Sequence, residues 1–165
     1  MPERYVARPR IYTADRSDYF EYEVRVFDVE RDWRLAAEVE VVSPGNEDGP
    51  EPRARFVAKC SALLQNGVSV VIVDLVTMHD FNLHAGLLER AGQRDPALDD
   101  AATATYAVAC RWRPRGASRW LEVWNLGLAV GQPPPTLPLW LSDDAAVPLD
   151  LEASYERACR GLQIP

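Results

Sequence analysis

The sequence predicts an α/β (α+β) domain, a mixed sheet of antiparallel hairpins with one central βαβ unit and a C-terminal helix. Three observations carry this. Residues 20–28 and 35–42 alternate apolar and polar side chains on either side of a short polar link, the pattern of a hairpin. Residues 53–66 space Phe56, Cys60, Leu63 and Leu64 as one stripe of a helix. Residues 68–76 are almost continuously apolar and β-branched, as in a strand covered on both faces within a parallel pair.

In chain order, residues 1–18 are polar and arginine-rich and read as an N-terminal tail, with a short strand at 5–12 as the alternative. In the first strand Tyr22, Val24 and Val26 point one way and Glu23 and Arg25 the other, because successive strand side chains alternate. In the second strand Glu38 and Glu40 share a face, and hairpin pairing places Arg25 as their counter-charge. Ser43, Pro44, Gly45 and Asn46 end that strand with turn residues. A proline-spaced acidic loop, 47–52, leads into the helix, and Gly67 stands where a C-terminal glycine cap belongs.

The strand at 68–76 carries one carboxylate, Asp74, which is costly inside a sheet unless it is paired, hydrogen-bonded, metal-bound or at a wet strand end. Parallel strands align their carboxyl ends, where α/β sheets place ligands. Glu40 and Asp74 are therefore the candidate site and candidate metal ligands. Ser43 and Asn46 of the turn, with Glu23 and Glu38 beside it, are candidate binding groups. The bland alternative has the turn amides satisfying Glu40 and Asp74 capping the next loop.

Residues 77–102 form a long connection with a turn of helix at 85–91; the spacing of His79, Asp80 and His84 fits no strong metal signature. A second hairpin follows at 103–112 and 120–126. Its Trp112, Trp120 and Trp124 stand among Arg111, Arg113, Arg115 and Arg119, the one dense basic cluster. The proline-rich run 131–138 is expected to be extended and unpaired, within a connection spanning 131–148. Asp150 is the expected N-cap of a last helix, with Leu151, Tyr155, Ala158 and Leu162 as its sheet-facing stripe.

The 165 residues fit a single domain, 1–165, and 47% apolar with 26% charged is the composition of a folded chain. A net charge of -7 repels phosphate backbones and anionic membranes, so neither nucleic acid nor a membrane is an expected partner. Cys60, Cys110 and Cys159 are odd in number and far apart, which fits buried thiols in a reduced cytoplasm better than disulfides. No signal pattern or membrane-length apolar run is present, nor is there a nucleotide loop or serine-hydrolase elbow.

In order along the chain, Glu40-Val41-Val42-Ser43-Pro44-Gly45-Asn46, Phe56 with Lys59, Ile72-Val73-Asp74-Leu75, the P-T-L-P run at 135–138 and the V-P-L-D-L run at 147–151 resemble the bacterial family catalogued as domain of unknown function 4058. The E-V-x-S-P turn also resembles the Uma2-type endonuclease-like proteins, which have the PD-(D/E)xK, restriction-endonuclease-like fold. That resemblance implies a metal held by carboxylates that activates water for phosphodiester cleavage, with Glu40 as ligand and Lys59 as a lysine migrated to the helix. The chain departs from the pattern at Val42, where the lysine belongs, and at Ile72 and Glu47.

The favoured reading is a binding or interaction module on a degenerate nuclease-like scaffold, with an unidentified protein partner or self-association and no cofactor. The runner-up is a divergent metal-dependent nuclease using Mg2+ or Mn2+ with Glu40, Asp74 and Lys59. A third reading is a small homo-oligomeric structural protein with the tryptophan hairpin as its interface.

Overall fold

The computed structural model describes residues 22–78, 81–98 and 105–164. The expected tail at 1–18 lies outside them, as do His79 and Asp80. The alternating segments form β1 (Tyr22–Asp28) and β2 (Arg34–Val41), which pair antiparallel with Glu23 opposite Glu40 and Arg25 opposite Glu38. The register slips between Val26 and Phe27. The tight connection is held by Asp28, whose carboxylate accepts from the Glu30 N–H, and by left-handed backbone at Asp32 and Trp33.

After β2 the chain makes one helical turn, α1 (Pro44–Glu47), and enters α2 (Pro50–Gln65). The helix begins three residues earlier than the apolar spacing suggests. Pro50 and Pro52 fall in its first turn, where a missing N–H costs nothing and a fixed φ is already helical. Gly67 adopts φ +76° and gives its N–H to the Leu64 carbonyl, closing the helix as expected.

β3 (Ser69–Asp74) runs parallel to β2 with Val39 beside Val71, completing the βαβ unit. The long connection contains α3 (Leu83–Arg90), whose N-cap Asn82 accepts from the Ala85 N–H. β4 (Tyr106–Arg115) and β5 (Ser118–Gly127) form the second hairpin, and the five strands lie in the order β1-β2-β3-β4-β5.

Two cores result. On one face Val70, Ile72, Val108 and Cys110 of the sheet pack against Phe56, Val57, Cys60 and Leu64 of α2 and Leu83 and Leu87 of α3. On the other, Val39, Val71, Val73 and Ala109 meet Leu137 and Leu139. Those two leucines belong to β6 (Thr136–Trp140), which pairs antiparallel with β7 (Ala146–Asp150) as a separate two-stranded sheet.

This hairpin corrects the expectation that the proline-rich run cannot join a ladder. Pro138 stands directly opposite Pro148, and a two-stranded sheet tolerates this pair because every strand in it is an edge with a free side. The last helix, α4 (Leu151–Leu162), begins at Asp150 as expected, with the Asp150 carboxylate accepting from the Ala153 N–H. Its stripe does not lie on the main sheet. Leu151 touches the second core, while Tyr155 and Leu162 remain exposed, because the β6–β7 hairpin already covers that face. No helix among the described residues is long and apolar enough to cross a membrane.

Candidate functional site

Strand alternation points Glu38 and Glu40 toward α2, and the hairpin register brings Glu23 to the same place from β1. Lys59 reaches them from the middle of α2. Its ammonium stands 2.7 Å from Glu40 and 3.3 Å from Glu38, and contacts Glu23 directly. Arg25 closes the group from the solvent side, with Nη2 2.7 Å from Glu23 and Nε donating to Glu38 at 3.1 Å. One oxygen of each of the three carboxylates lies within 4.8 Å of the others.

Glu38 and Glu40 are buried, and the two carboxyls are close enough to share a proton. Burial, then the bond to Glu38, raises Glu40 to about 7 against the pull of Lys59. Burial also pushes Glu38 upward, but its bond from Glu40 and the charges of Lys59 and Arg25 hold it below the ordinary value. Burial alone would lower Lys59. The contacts to Glu23 and Glu40 and the charge of Glu38 instead raise it well above the usual lysine range, so it stays protonated. At neutral pH the cluster therefore holds two fixed cations, Lys59 and Arg25, against carboxylates of which Glu40 is partly protonated.

The cavity beside this group is small, about 50 Å³, and is lined by Tyr22, Glu40, Gly45, Asn46, Phe56 and Lys59. It has room for a water or two, far below the few hundred Å³ of a typical small-molecule cleft.

Asp74 does not join this cluster. On the α2 side of the sheet Ile72 is the neighbour of Glu40, and Asp74 lies one pleat further along β3. Its carboxylate accepts from the Val76 N–H at 3.0 Å, which is the loop cap foreseen for it, and also bonds Glu47 and the Tyr106 hydroxyl. Glu47, buried in α1, is raised to about 7 by burial and then by the charge of Asp74. Burial also raises Asp74. This is the behaviour of two desolvated carboxyls holding one proton between them. The Tyr106 hydroxyl in turn accepts from the His84 N–H at 3.1 Å.

Ser43 and Asn46 serve their own turn. The Asn46 side-chain oxygen accepts from both the N–H and the hydroxyl of Ser43, at 2.8 and 2.9 Å. Glu40 is thus compensated by Lys59, not by the turn amides. Glu47 is the residue that sequence reasoning passed over. It stands in a polar, proline-rich loop, and only the parallel β2–β3 geometry reveals that this loop folds back over Asp74. Cys60 and Cys110 are buried core thiols, with burial pushing Cys110 up to about 12, so neither is a nucleophile at neutral pH.

Comparison of the chain with family models, curated proteins and solved structures gives no match.

Proposed function

We propose that the chain is a non-catalytic binding module on a nuclease-like scaffold, in which the Lys59 ammonium fills the place a divalent ion would take. The observation that carries this is the position of Lys59 Nζ in contact with Glu23, Glu38 and Glu40 together. A metal entering there would have to displace a paired ammonium, and Mg2+ binds carboxylates tightly only where it finds open octahedral space. The 50 Å³ cavity supports the same reading, since no phosphodiester fits between Lys59 and the turn.

The scaffold part of the proposal draws on the antiparallel β1–β2 pair that delivers the carboxylates and on the helix that delivers a lysine, the arrangement the Uma2-like resemblance implies. A specific observation favours the second reading, a metal-dependent phosphodiesterase. The three carboxylates come within 4.8 Å of one another, close enough for one ion if Lys59 swings aside to meet a phosphate. That nuclease differs from the expected one, because Glu23 and Glu38 replace Asp74 beside Glu40.

Incubation of the protein with single- and double-stranded DNA and RNA in Mg2+ and in Mn2+ separates the two. The module reading predicts cleavage no faster than in a Glu40→Gln preparation. Cleavage present in the wild type and lost in Glu40→Gln establishes the phosphodiesterase instead.

A further inference from the structure

A larger groove among the described residues lies elsewhere. Among the described residues α2 and α3 pack mainly on β3 and β4, and β5 joins that core through Leu121. The groove, of about 640 Å³, lies between the turn after α3 and the β4–β5 hairpin, lined by His84, Asp95, Trp112, Arg119, Trp120 and Asn125. Its volume is that of a small-molecule site, and its floor is aromatic and apolar.

Three features set its chemistry. His84 is 1% exposed, and neither of its ring nitrogens has a hydrogen-bond partner. Burial holds this imidazole near a pKa of about 4, so at neutral pH it presents one donor and one acceptor, both unused. Leaving these polar atoms desolvated and unpaired is costly, and a ligand edge that offers a complementary donor or acceptor to one of them removes part of that cost. Next, the Arg119 guanidinium lies over the Trp112 ring at 5.6 Å, and among the described residues Arg119 forms no ion pair. A flat ring stacks on such a pair while an attached anion meets the guanidinium. Finally, Asp95 lies near His84 with the cation of Arg94 beside it, so the charges at that end offset each other, whereas Arg119 stands at the hairpin end, where the groove's lining holds no carboxylate; the heterocycle is directed toward His84 and the anion toward Arg119.

We infer that this groove binds a planar heteroaromatic anion of the size of a nucleoside monophosphate, with its ring against Trp112, its hydrogen-bonding edge on His84 and its phosphate on Arg119. A nucleic-acid strand is disfavoured by the net charge of -7 and by a groove that holds one nucleotide. The inference rests on the binding-module reading in that it names what the module binds, but it uses none of the carboxylate cluster.

The test is isothermal titration of the full chain with AMP, GMP, CMP and UMP, alongside adenosine and inorganic phosphate. Saturable binding of at least one monophosphate is expected, with adenosine and inorganic phosphate each at least fivefold weaker. Arg119→Glu, a surface change that leaves the core intact, lowers affinity at least tenfold. His84→Phe, which fills the same space, lowers it at least tenfold as well. Lys59→Met leaves it unchanged, and this control separates the groove from the carboxylate cluster. Failure of all four monophosphates to bind overturns the inference. So does phosphate binding as tightly as the best nucleotide, or affinity that survives Arg119→Glu or His84→Phe.

Discussion

Glu23 on β1 and Glu40 on β2 stand directly opposite each other, and the Lys59 ammonium contacts both of their carboxylates. Like charges facing each other across an antiparallel pair are destabilising, and the cation that α2 places over this pair, with Arg25 beside Glu23, offsets that cost. The crossover helix thus has two jobs. One stripe fills the core with Phe56, Cys60 and Leu64, and Lys59, next to Cys60, neutralises the sheet.

Removing that cation takes the ion-pair partner from buried Glu40 and leaves Glu38 with Arg25 alone. Lys59→Met is expected to lower stability by about 2–3 kcal/mol, less than the ~3–5 kcal/mol of a fully buried pair because Lys59 is a quarter exposed. Glu40→Gln in the same background is expected to recover part of the loss. Urea denaturation of the four members of the cycle measures this, and purely additive effects would show that Lys59 and Glu40 are not coupled.

The two raised glutamates give stability a pH dependence of defined sign. Glu40 and Glu47 titrate near 7 in the fold against 4.5 when unperturbed, so the folded state holds more protons between those values. Their contribution is complete below about 4.5 and is lost as pH rises through about 7. His84, lowered to about 4 from 6.5, acts in the opposite direction, its contribution being lost as pH falls below 6.5. Two carboxyls outweigh one imidazole, so the melting temperature is expected to fall from about pH 5 to about pH 7.5. Glu47→Gln keeps the hydrogen bond to Asp74 without a titrating proton, and its profile is expected to be flatter. An unchanged slope in that variant would show that Glu47 is already ionised in the fold.

Arg111 is buried on β4 and ties the small hairpin to the main sheet. It pairs with Glu122 at 2.7 Å, donates to the Ser142 and Asp143 carbonyls and stacks on Trp140 with its centre 3.3 Å from the ring. A lysine cannot reproduce this fork of donors or the flat stack. Arg111→Lys is expected to cost about 2–4 kcal/mol, with amide exchange quickening first in β6 and β7. Uniform quickening across the whole sheet would contradict that role.

The sheet was largely legible in the sequence because its strands announce themselves by period. Alternation in β1 and β2 put Arg25 on the face of Glu38 and Glu40 as their counter-charge, and the almost continuous apolar run of β3 marked it as covered on both faces. What could not be read is what depends on contacts between distant segments. Glu40 and Asp74 lie at the carboxyl ends of adjacent parallel strands, yet one pleat of offset with Ile72 in between sends them to different partners. Glu47 and His84 looked like loop residues because neither lies in a periodic segment, although both are buried. The β6–β7 hairpin was hidden by its prolines, since a rule that excludes proline from ladders holds for central strands and fails where two prolines face each other across an isolated pair.

Ile72 makes the same point energetically. The family resemblance expects an acidic residue there, but the side chain is fully buried between α2 and the sheet. Ile72→Ala is expected to cost about 2–5 kcal/mol in chemical denaturation. A loss well below that range would mean that the site is not the packed wall separating Glu40 from Asp74.

The claim that Lys59 occupies the cation position is tested most directly by a thermal-shift titration with Mn2+ on the wild type, Lys59→Met and Glu40→Gln. A ligand that binds only the folded state adds about 2.7 kcal/mol at a hundred times its Kd, or several degrees for a chain of this size. The wild type and Glu40→Gln are expected to show no shift, and Lys59→Met a rise of several degrees as the ion replaces the missing ammonium. A wild type that is stabilised by Mn2+, with the effect lost in Glu40→Gln, would contradict this account and make the three glutamates a metal centre with the lysine beside it.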